Sequence, residues 1–135
     1  MVTKIEHIGI VVKDLETSMK KYTSLLGLEA REIEEVKVEN AIDRLAFLPI
    51  GDINIELIER RAKTGIAADF LKEHGEGIHH IAFEVEDLDK NFQELRARGV
   101  EFVWNQIIEG SRGSKVAFFK PEEFNGVYIE LVQRH

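Results

Sequence analysis

The sequence predicts an α+β fold of two βαβββ modules in tandem, and two internal similarities carry this prediction. "IEHIGIVVKDLE" near the start of the chain resembles "IHHIAFEVEDLD" further along, which places His80 at an offset of 73 residues from His7. "LAFLPIGDINIELIE" (45–59) resembles "VAFFKPEEFNGVYIELVQ" (116–133). Self-similarity of several landmarks, in one order and at nearly one spacing, indicates two copies of one structural unit.

The first copy begins with a β-rich run over 4–12, and Asp14 after it is a suitable helix N-cap. Apolar residues at helical spacing then predict one buried helix face: Leu15, Met19, Tyr22 and Leu25–Leu26. Gly27 is the expected helix stop. Three strand-like stretches follow, at 28–38, 42–50 and 53–60.

The second copy repeats this order, with a strand over 77–85, an N-cap at Asp87 and a stop at Gly99. Its helix face consists of Leu88, Phe92 and Leu95, and its strands are predicted at 101–108, 115–120 and 127–133. We therefore expect a single domain over 1–135. It is divided into module one (1–60), a linker (61–76) with a short helix near 66–74, and module two (77–135).

Composition excludes several classes of protein. The 135 residues are 44% hydrophobic, which suits one compact unit or two small halves that share a core. The net charge of -7 argues against nucleic acid or an anionic membrane as the main partner. The sequence contains no cysteine, which excludes disulfides, thiolate metal sites and cysteine nucleophiles. No apolar run approaches the ~20 residues of a membrane span, and "MVTKIEHIGI" lacks the layout of a signal peptide, so a cytoplasmic protein is expected.

Four polar residues occupy equivalent strand positions in the two copies: His7, Glu56, His80 and Glu130. A single such residue would be best explained by an exposed sheet face. The repeated set favours a shared site instead, because a carboxylate among apolar neighbours is costly unless it is paired or bound to metal. Two imidazoles and two carboxylates are suitable ligands for a divalent first-row metal ion.

The repeat also separates the adjacent histidines of "EGIHHIAF". His80 aligns with His7, whereas His79 must point to the opposite face of the strand. We therefore expect His79 to be a partly exposed or hydrogen-bonding residue outside the site. His74 and His135 are expected to be solvated.

These segments, together with "FLKEHGEGIHHIAFEVEDLD" and "GVYIELVQ", resemble the vicinal oxygen chelate superfamily (glyoxalase, bleomycin resistance protein and dioxygenase), and most closely its methylmalonyl-CoA epimerase branch. The resemblance spans essentially the whole chain and implies mixed sheets that curl around a metal-lined cavity, the glyoxalase-like fold. It also implies that His7, Glu56, His80 and Glu130 hold one divalent ion (Co, Ni, Mn or Zn). The second carboxylate, Glu56, favours the isomerase and lyase branches over the two-His, one-carboxylate oxygenases.

By the same resemblance, the expected activity is a metal-dependent epimerase that removes the proton next to a thioester carbonyl of methylmalonyl-CoA, with Glu130 and Glu56 as acid and base. Arg112, Lys115 and Lys120, in and after the "GSRGSK" loop, are expected contacts for the substrate carboxylate or a CoA phosphate. That loop reads equally well as an ordinary polar hairpin from its sequence alone.

Two departures concern the substrate end rather than the metal. The chain has "VENAIDRLAF" where the epimerase branch often has an "EQGV"-like stretch, and Lys120 where it tends to have histidine. The alternatives are therefore a glyoxalase I-like lactoylglutathione lyase, acting on a thiol–aldehyde adduct, or a non-catalytic small-molecule binder of the same superfamily. A homodimer is expected, since the family commonly forms dimers.

Overall fold

The computed structural model describes residues 1–38 and 40–134, so the expectation for His135 lies outside the described residues. This part of the chain contains eight strands and three α-helices. Their order is β1 (Val2–Val12), α1 (Leu15–Leu26), β2 (Glu32–Val38), β3 (Ala41–Ile50), β4 (Ile53–Glu59), α2 (Ile66–His74), β5 (Gly77–Val85), α3 (Leu88–Ala97), β6 (Ile108–Glu109), β7 (Lys115–Phe118) and β8 (Tyr128–Gln133). The predicted α+β class and both βαβββ modules are confirmed, and so is the linker helix.

The chain divides into two compact units, which we call the first unit (His7–His79) and the second unit (Met1–Glu6 with His80–His135). In the first unit the strand order is β2-β3-β4-β1, with β1 parallel to β4 and the other neighbours antiparallel. The second unit has the order β5-β8-β7-β6, with β5 parallel to β8 and the other neighbours antiparallel. The sequence repeat is thus a repeat of strand topology.

Helix α1 begins and ends at the residues that the sequence predicts as its caps. The Asp14 carboxylate accepts from the Thr17 backbone N–H, and Gly27 adopts the left-handed conformation with φ +71°. Leu25 and Leu26, however, are 78% and 66% exposed, so their predicted burial is wrong. The chain reverses at Gly27, and Leu28 packs against the core instead.

The core of the first unit lies between α1 and the sheet. It contains Val12, Leu15, Ala46, Leu48 and Leu57, all at most 4% exposed. The register explains why these residues meet, since Ala46 lies opposite Leu57 on the neighbouring strand. An apolar face on each element is therefore enough to fix how α1 covers the sheet.

In the second unit α3 covers the sheet through aromatic residues. Phe102 stacks on Phe119 with ring centroids 4.7 Å apart, and Phe92 lies 4.5 Å from Phe102. Leu88, which is fully buried, and Leu131 belong to the same cluster. Ring pairs at this spacing add specific attraction to the burial of apolar area.

Two predicted strands are shorter than expected. The stretch 28–38 becomes a strand only from Glu32, and in place of 101–108 the chain has a single bridge at Phe102 and the two-residue strand β6. Phe102 turns its ring towards Phe92 and Phe119, so its apolar character reflects packing rather than a continuous strand. No helix among residues 1–38 and 40–134 is long and apolar enough to cross a membrane.

Candidate functional site

The first unit holds a buried pair formed by a histidine and a carboxylate. His7 on β1 and Glu56 on β4 are 2% and 5% exposed, and His7 Nε2 lies 3.6 Å from Glu56 Oε1. Gly9 is the Cα partner of Glu56 in the parallel ladder. Because residues two apart on a strand share a face, the ladder brings His7 and Glu56 to the same side of the sheet.

The second unit holds the equivalent pair. His80 on β5 and Glu130 on β8 are 4% and 6% exposed, and His80 Nε2 lies 3.8 Å from Glu130 Oε1. Ala82 is the Cα partner of Glu130, as Gly9 is of Glu56. The alternation of strand residues therefore places His80, rather than His79, beside Glu130.

A phenylalanine lies on the other side of each carboxylate. Phe47 on β3 is the Cα partner of Glu56, and Phe118 on β7 is the Cα partner of Glu130. Phe118 also meets the His80 ring edge-on, with centroids 5.2 Å apart. Each carboxylate thus lies between a small residue and an aromatic ring, which keeps solvent away from it.

The donor set of each pair fits a divalent metal ion. A nitrogen–oxygen separation of 3.6 or 3.8 Å exceeds that of an N–H···O hydrogen bond. It is compatible with two ligands of one ion, which lie at most about 4.2 Å apart when each is about 2.1 Å from the metal. Buried imidazole and carboxylate groups are also the ligands that first-row divalent ions prefer in proteins.

Comparison with known proteins shows the family to which the chain belongs. The family model described as glyoxalase/bleomycin resistance protein/dioxygenase superfamily matches residues 6–118. The chain belongs to this superfamily. It is 30% identical to an ethylmalonyl-CoA/methylmalonyl-CoA epimerase from Cereibacter sphaeroides over 98% of this chain and 99% of the relative. It is 28% identical to a human mitochondrial methylmalonyl-CoA epimerase over 96% of this chain and 73% of the relative. A methylmalonyl-CoA epimerase variant from Streptomyces coelicolor, solved with 2-nitronate-propionyl-CoA, superposes with a TM-score of 0.89 at 33% identity, covering 98% of both chains.

His79 is buried at 5% exposure and has a backbone hydrogen bond at Ile66, so of the two expectations for it the hydrogen-bonding one agrees with the structure and partial exposure does not. Helix α2 covers it, since the Phe70 ring meets the His79 ring edge-on with centroids 5.3 Å apart. Burial is the main reason that the pKa of His79 is lowered to about 4. The charge of Arg60 lowers this pKa further, whereas a backbone hydrogen bond at Ile66 raises it. His79 is therefore a neutral packing residue under the linker helix at neutral pH. His74, on the same helix, is exposed as predicted.

The three predicted substrate cations have different carboxylate partners. Lys115 Nζ lies 2.7 Å from Asp89 on α3, and Lys120 Nζ lies 3.2 Å from Glu101. The side chains of Lys115 and Lys120 are about half exposed, at 48% and 46%. The hydrogen bond that Lys115 donates to Asp89 raises the pKa of Lys115. Both lysines are therefore reachable from solvent.

Arg112, the third predicted cation, belongs to a buried cluster that the sequence did not reveal. Its Nη2 lies 3.4 Å from Glu6 Oε2, while Arg134 Nη2 lies 2.7 Å from Glu6 Oε1. Arg134 also donates to the backbone oxygen of Ser111 at 2.8 Å. Glu6, only 4% exposed, thus fastens the loop 111–113 to the first strand. A charged residue inside the run "KIEHIGI" was the available signal.

Proposed function

We propose that this superfamily member is a metal-dependent epimerase that interconverts the epimers of methylmalonyl-CoA. The observation that supports it most directly is the repeated, buried His–Glu pair, one in each unit. It occurs in a chain similar over nearly its full length to proteins named methylmalonyl-CoA epimerases. An acyl-CoA substrate is consistent with the solved complexes of such relatives with methylmalonyl-CoA and 2-nitronate-propionyl-CoA.

We propose that His7, Glu56, His80 and Glu130 together hold one divalent ion, either Co, Ni, Mn or Zn. When bound, such an ion supplies Lewis-acid stabilisation for the negative charge that develops on the substrate oxygens as the proton leaves. The two carboxylates balance the charge of a dication, and the two neutral imidazoles add none. In the described structure each of the four residues is at most 6% exposed, so their burial is compatible with ligation.

Glu130 and Glu56 are the proposed acid and base. One glutamate accepts the proton from the substrate carbon that lies between the substrate's carboxylate and its thioester. The other glutamate donates a proton to the opposite face of that carbon, which inverts the centre. Phe47 and Phe118, next to the two carboxylates in the sheet register, limit access of water to this proton. Arg112, Lys115 and Lys120 remain proposed contacts for the anionic groups of the substrate.

The test of the reaction is solvent deuterium exchange. In D₂O the purified protein should incorporate deuterium at C2 of methylmalonyl-CoA, and a chelator should abolish the incorporation until metal is restored. Incorporation should fall by at least a hundredfold in Glu130→Gln, which keeps the side-chain shape. Absence of exchange with metal present would contradict the proposal. Turnover of a glutathione–methylglyoxal adduct in its place would support the lyase.

The test of the metal site is the metal content of two neighbouring variants. The protein should hold about one divalent ion per chain, His80→Ala should lose it, and His79→Ala should keep it. Circular dichroism of both variants controls for folding, because both histidines are buried. Equal retention in the two variants would rule out His80 as a ligand.

Three further parts of the proposal concern organisation. We propose that the two units act as one vicinal oxygen chelate domain and that two chains form a homodimer. Light scattering should then give twice the 15.5 kDa of one chain. The cytoplasmic location expected from the sequence stays a prediction.

A further inference from the structure

Tyr128 lies beside the His80–Glu130 pair, on the strand that carries Glu130. It comes two residues before Glu130 on β8, so the two side chains lie on the same face of the sheet. It is also the Cα partner of His80 in the parallel ladder between β5 and β8. Neighbouring strands are about 4.8 Å apart, so residues opposite each other have adjacent side chains. A phenol group therefore borders both proposed metal ligands of the second unit.

Aromatic packing holds the ring of Tyr128. It meets the Phe118 ring at 81° with centroids 6.4 Å apart, and Phe118 meets the His80 ring at 83°. Edge-to-face ring pairs at such distances are attractive, so these three rings support one another. Tyr128 is partly exposed, whereas His80 and Glu130 are buried. The tyrosine thus combines an ordered ring with a side chain that a ligand can reach.

The first copy of the repeat has a hydrogen-bonding residue at the same place. Asn54 comes two residues before Glu56 on β4 and is the Cα partner of His7. An amide or a phenol on a sheet face that also carries buried residues is costly unless it forms a hydrogen bond. Asn54 is 7% exposed, so Tyr128 is the more accessible of the two to a ligand. The repetition indicates that hydrogen bonding, and not only packing, matters at this position.

From this arrangement we propose that the Tyr128 hydroxyl donates a hydrogen bond to an oxygen of the bound substrate, next to His80 and Glu130. Donors that are already in place stabilise the negative charge that develops on the substrate oxygens as the proton leaves. A phenol O–H makes such a hydrogen bond without adding charge to the site. The role rests on the proposed activity and adds to it a residue that contacts the substrate without being a proposed metal ligand.

The experiment compares the two tyrosines of the sequence, Tyr128 and Tyr22, by replacing each with phenylalanine. Tyr128→Phe removes the hydroxyl and keeps the ring that packs against Phe118. Tyr22→Phe makes the same change on α1, where the side chain packs against the core of the first unit. The probe is oxalate, whose oxygens can both chelate a divalent ion and accept a hydrogen bond. Calorimetry of the zinc-loaded proteins measures the Kd for oxalate.

Tyr128→Phe should raise the Kd for oxalate about tenfold, because it removes a hydrogen bond to a charged acceptor. Tyr22→Phe should keep the Kd of the wild-type protein. Zinc content and Tm should be the same in all three proteins, which separates a contact with the ligand from a role in folding. In the deuterium-exchange assay Tyr128→Phe should lower kcat about tenfold and change the KM for methylmalonyl-CoA less, since the hydrogen bond is strongest when charge has developed.

Three results would overturn the role of Tyr128. One is a wild-type protein that does not bind oxalate in the presence of zinc, and another is an equal Kd in Tyr128→Phe and Tyr22→Phe. The third is loss of zinc together with oxalate in Tyr128→Phe, which would show that the hydroxyl supports the metal site instead of the ligand.

Binding of oxalate requires no proton transfer, so the role of Tyr128 and the epimerase activity fail separately. Deuterium exchange by the wild-type protein, with no effect of Tyr128→Phe on the exchange or on the Kd, contradicts the role of Tyr128 alone. A raised Kd in Tyr128→Phe, with no exchange by the wild-type protein, contradicts the epimerase alone.

Discussion

Glu6 should contribute more to stability than an exposed ion pair of the same length. The Glu6–Arg134 and Asp89–Lys115 pairs both have nitrogen–oxygen distances of 2.7 Å. The Glu6 side chain is 6% exposed, whereas those of Asp89 and Lys115 are 57% and 48% exposed. If burial rather than distance sets the energy, replacing Glu6 must be much more costly than replacing Lys115.

The magnitude follows from what Glu6→Ala leaves behind. Removing one partner of a buried ion pair typically costs about 3–5 kcal/mol, because the other charge stays uncompensated. The side chains of Arg112 and Arg134 are 23% and 18% exposed, so water can reach part of each guanidinium. We therefore expect a loss of about 2–3 kcal/mol in the free energy of unfolding, which lowers the Tm of a chain of this size by roughly 10 °C.

Urea denaturation followed by circular dichroism measures this loss, with Lys115→Gln as the matched control. The control should leave the urea midpoint unchanged, and Glu6→Ala should lower it. Adding Arg134→Met to Glu6→Ala should recover part of the loss, since it removes one uncompensated charge. Equal midpoints for Glu6→Ala and Lys115→Gln would show that burial does not strengthen the Glu6 cluster, and the reasoning would be refuted.

The remaining predictions also concern stability. Asp87→Ala removes the carboxylate that accepts a hydrogen bond from the Lys90 N–H at the start of α3. It should lower the free energy of unfolding by about 1 kcal/mol, measured by thermal unfolding. Leu57→Ala, at a fully buried position, should lower the free energy of unfolding by about 3 kcal/mol in urea denaturation. Leu25→Ala, at a position that is 78% exposed, should change it little. The pKa of His79 falls from 6.5 to about 4 on folding. Between these pH values the unfolded chain therefore binds one more proton than the folded chain. Stability should therefore fall as the pH is lowered through this window, by roughly 3 kcal/mol in total, and His79→Gln should lose that part of the pH dependence.

The repeat carries long-range information about the surroundings of the proposed ligands. A single histidine in a strand says little, but His7 and His80 at matching places indicate matching surroundings. The ladders bear this out, with Gly9 opposite Glu56 and Ala82 opposite Glu130. The strand period then distinguishes His80 from its neighbour without any knowledge of the tertiary structure.

What the sequence could not predict depends on contacts outside the repeat. Glu6 lies 106 and 128 residues from its two arginine partners, and neither arginine has a motif that points back to it. His79 was correctly assigned to the opposite face from His80, but its burial depends on Phe70 in the linker helix. Strand period fixes the direction of a side chain, and only the neighbouring elements decide whether solvent reaches it.

The differences between the two copies matter as much as their likeness, because the proposed epimerisation needs one carboxylate to accept a proton while the other donates one. The ladders place Asn54 opposite His7 but Tyr128 opposite His80. In the second copy Phe118 also meets the ring of Trp104 edge-on, with centroids 5.8 Å apart. In the proposed enzyme the repeated residues hold the metal, and the residues that differ give the two His–Glu pairs different surroundings.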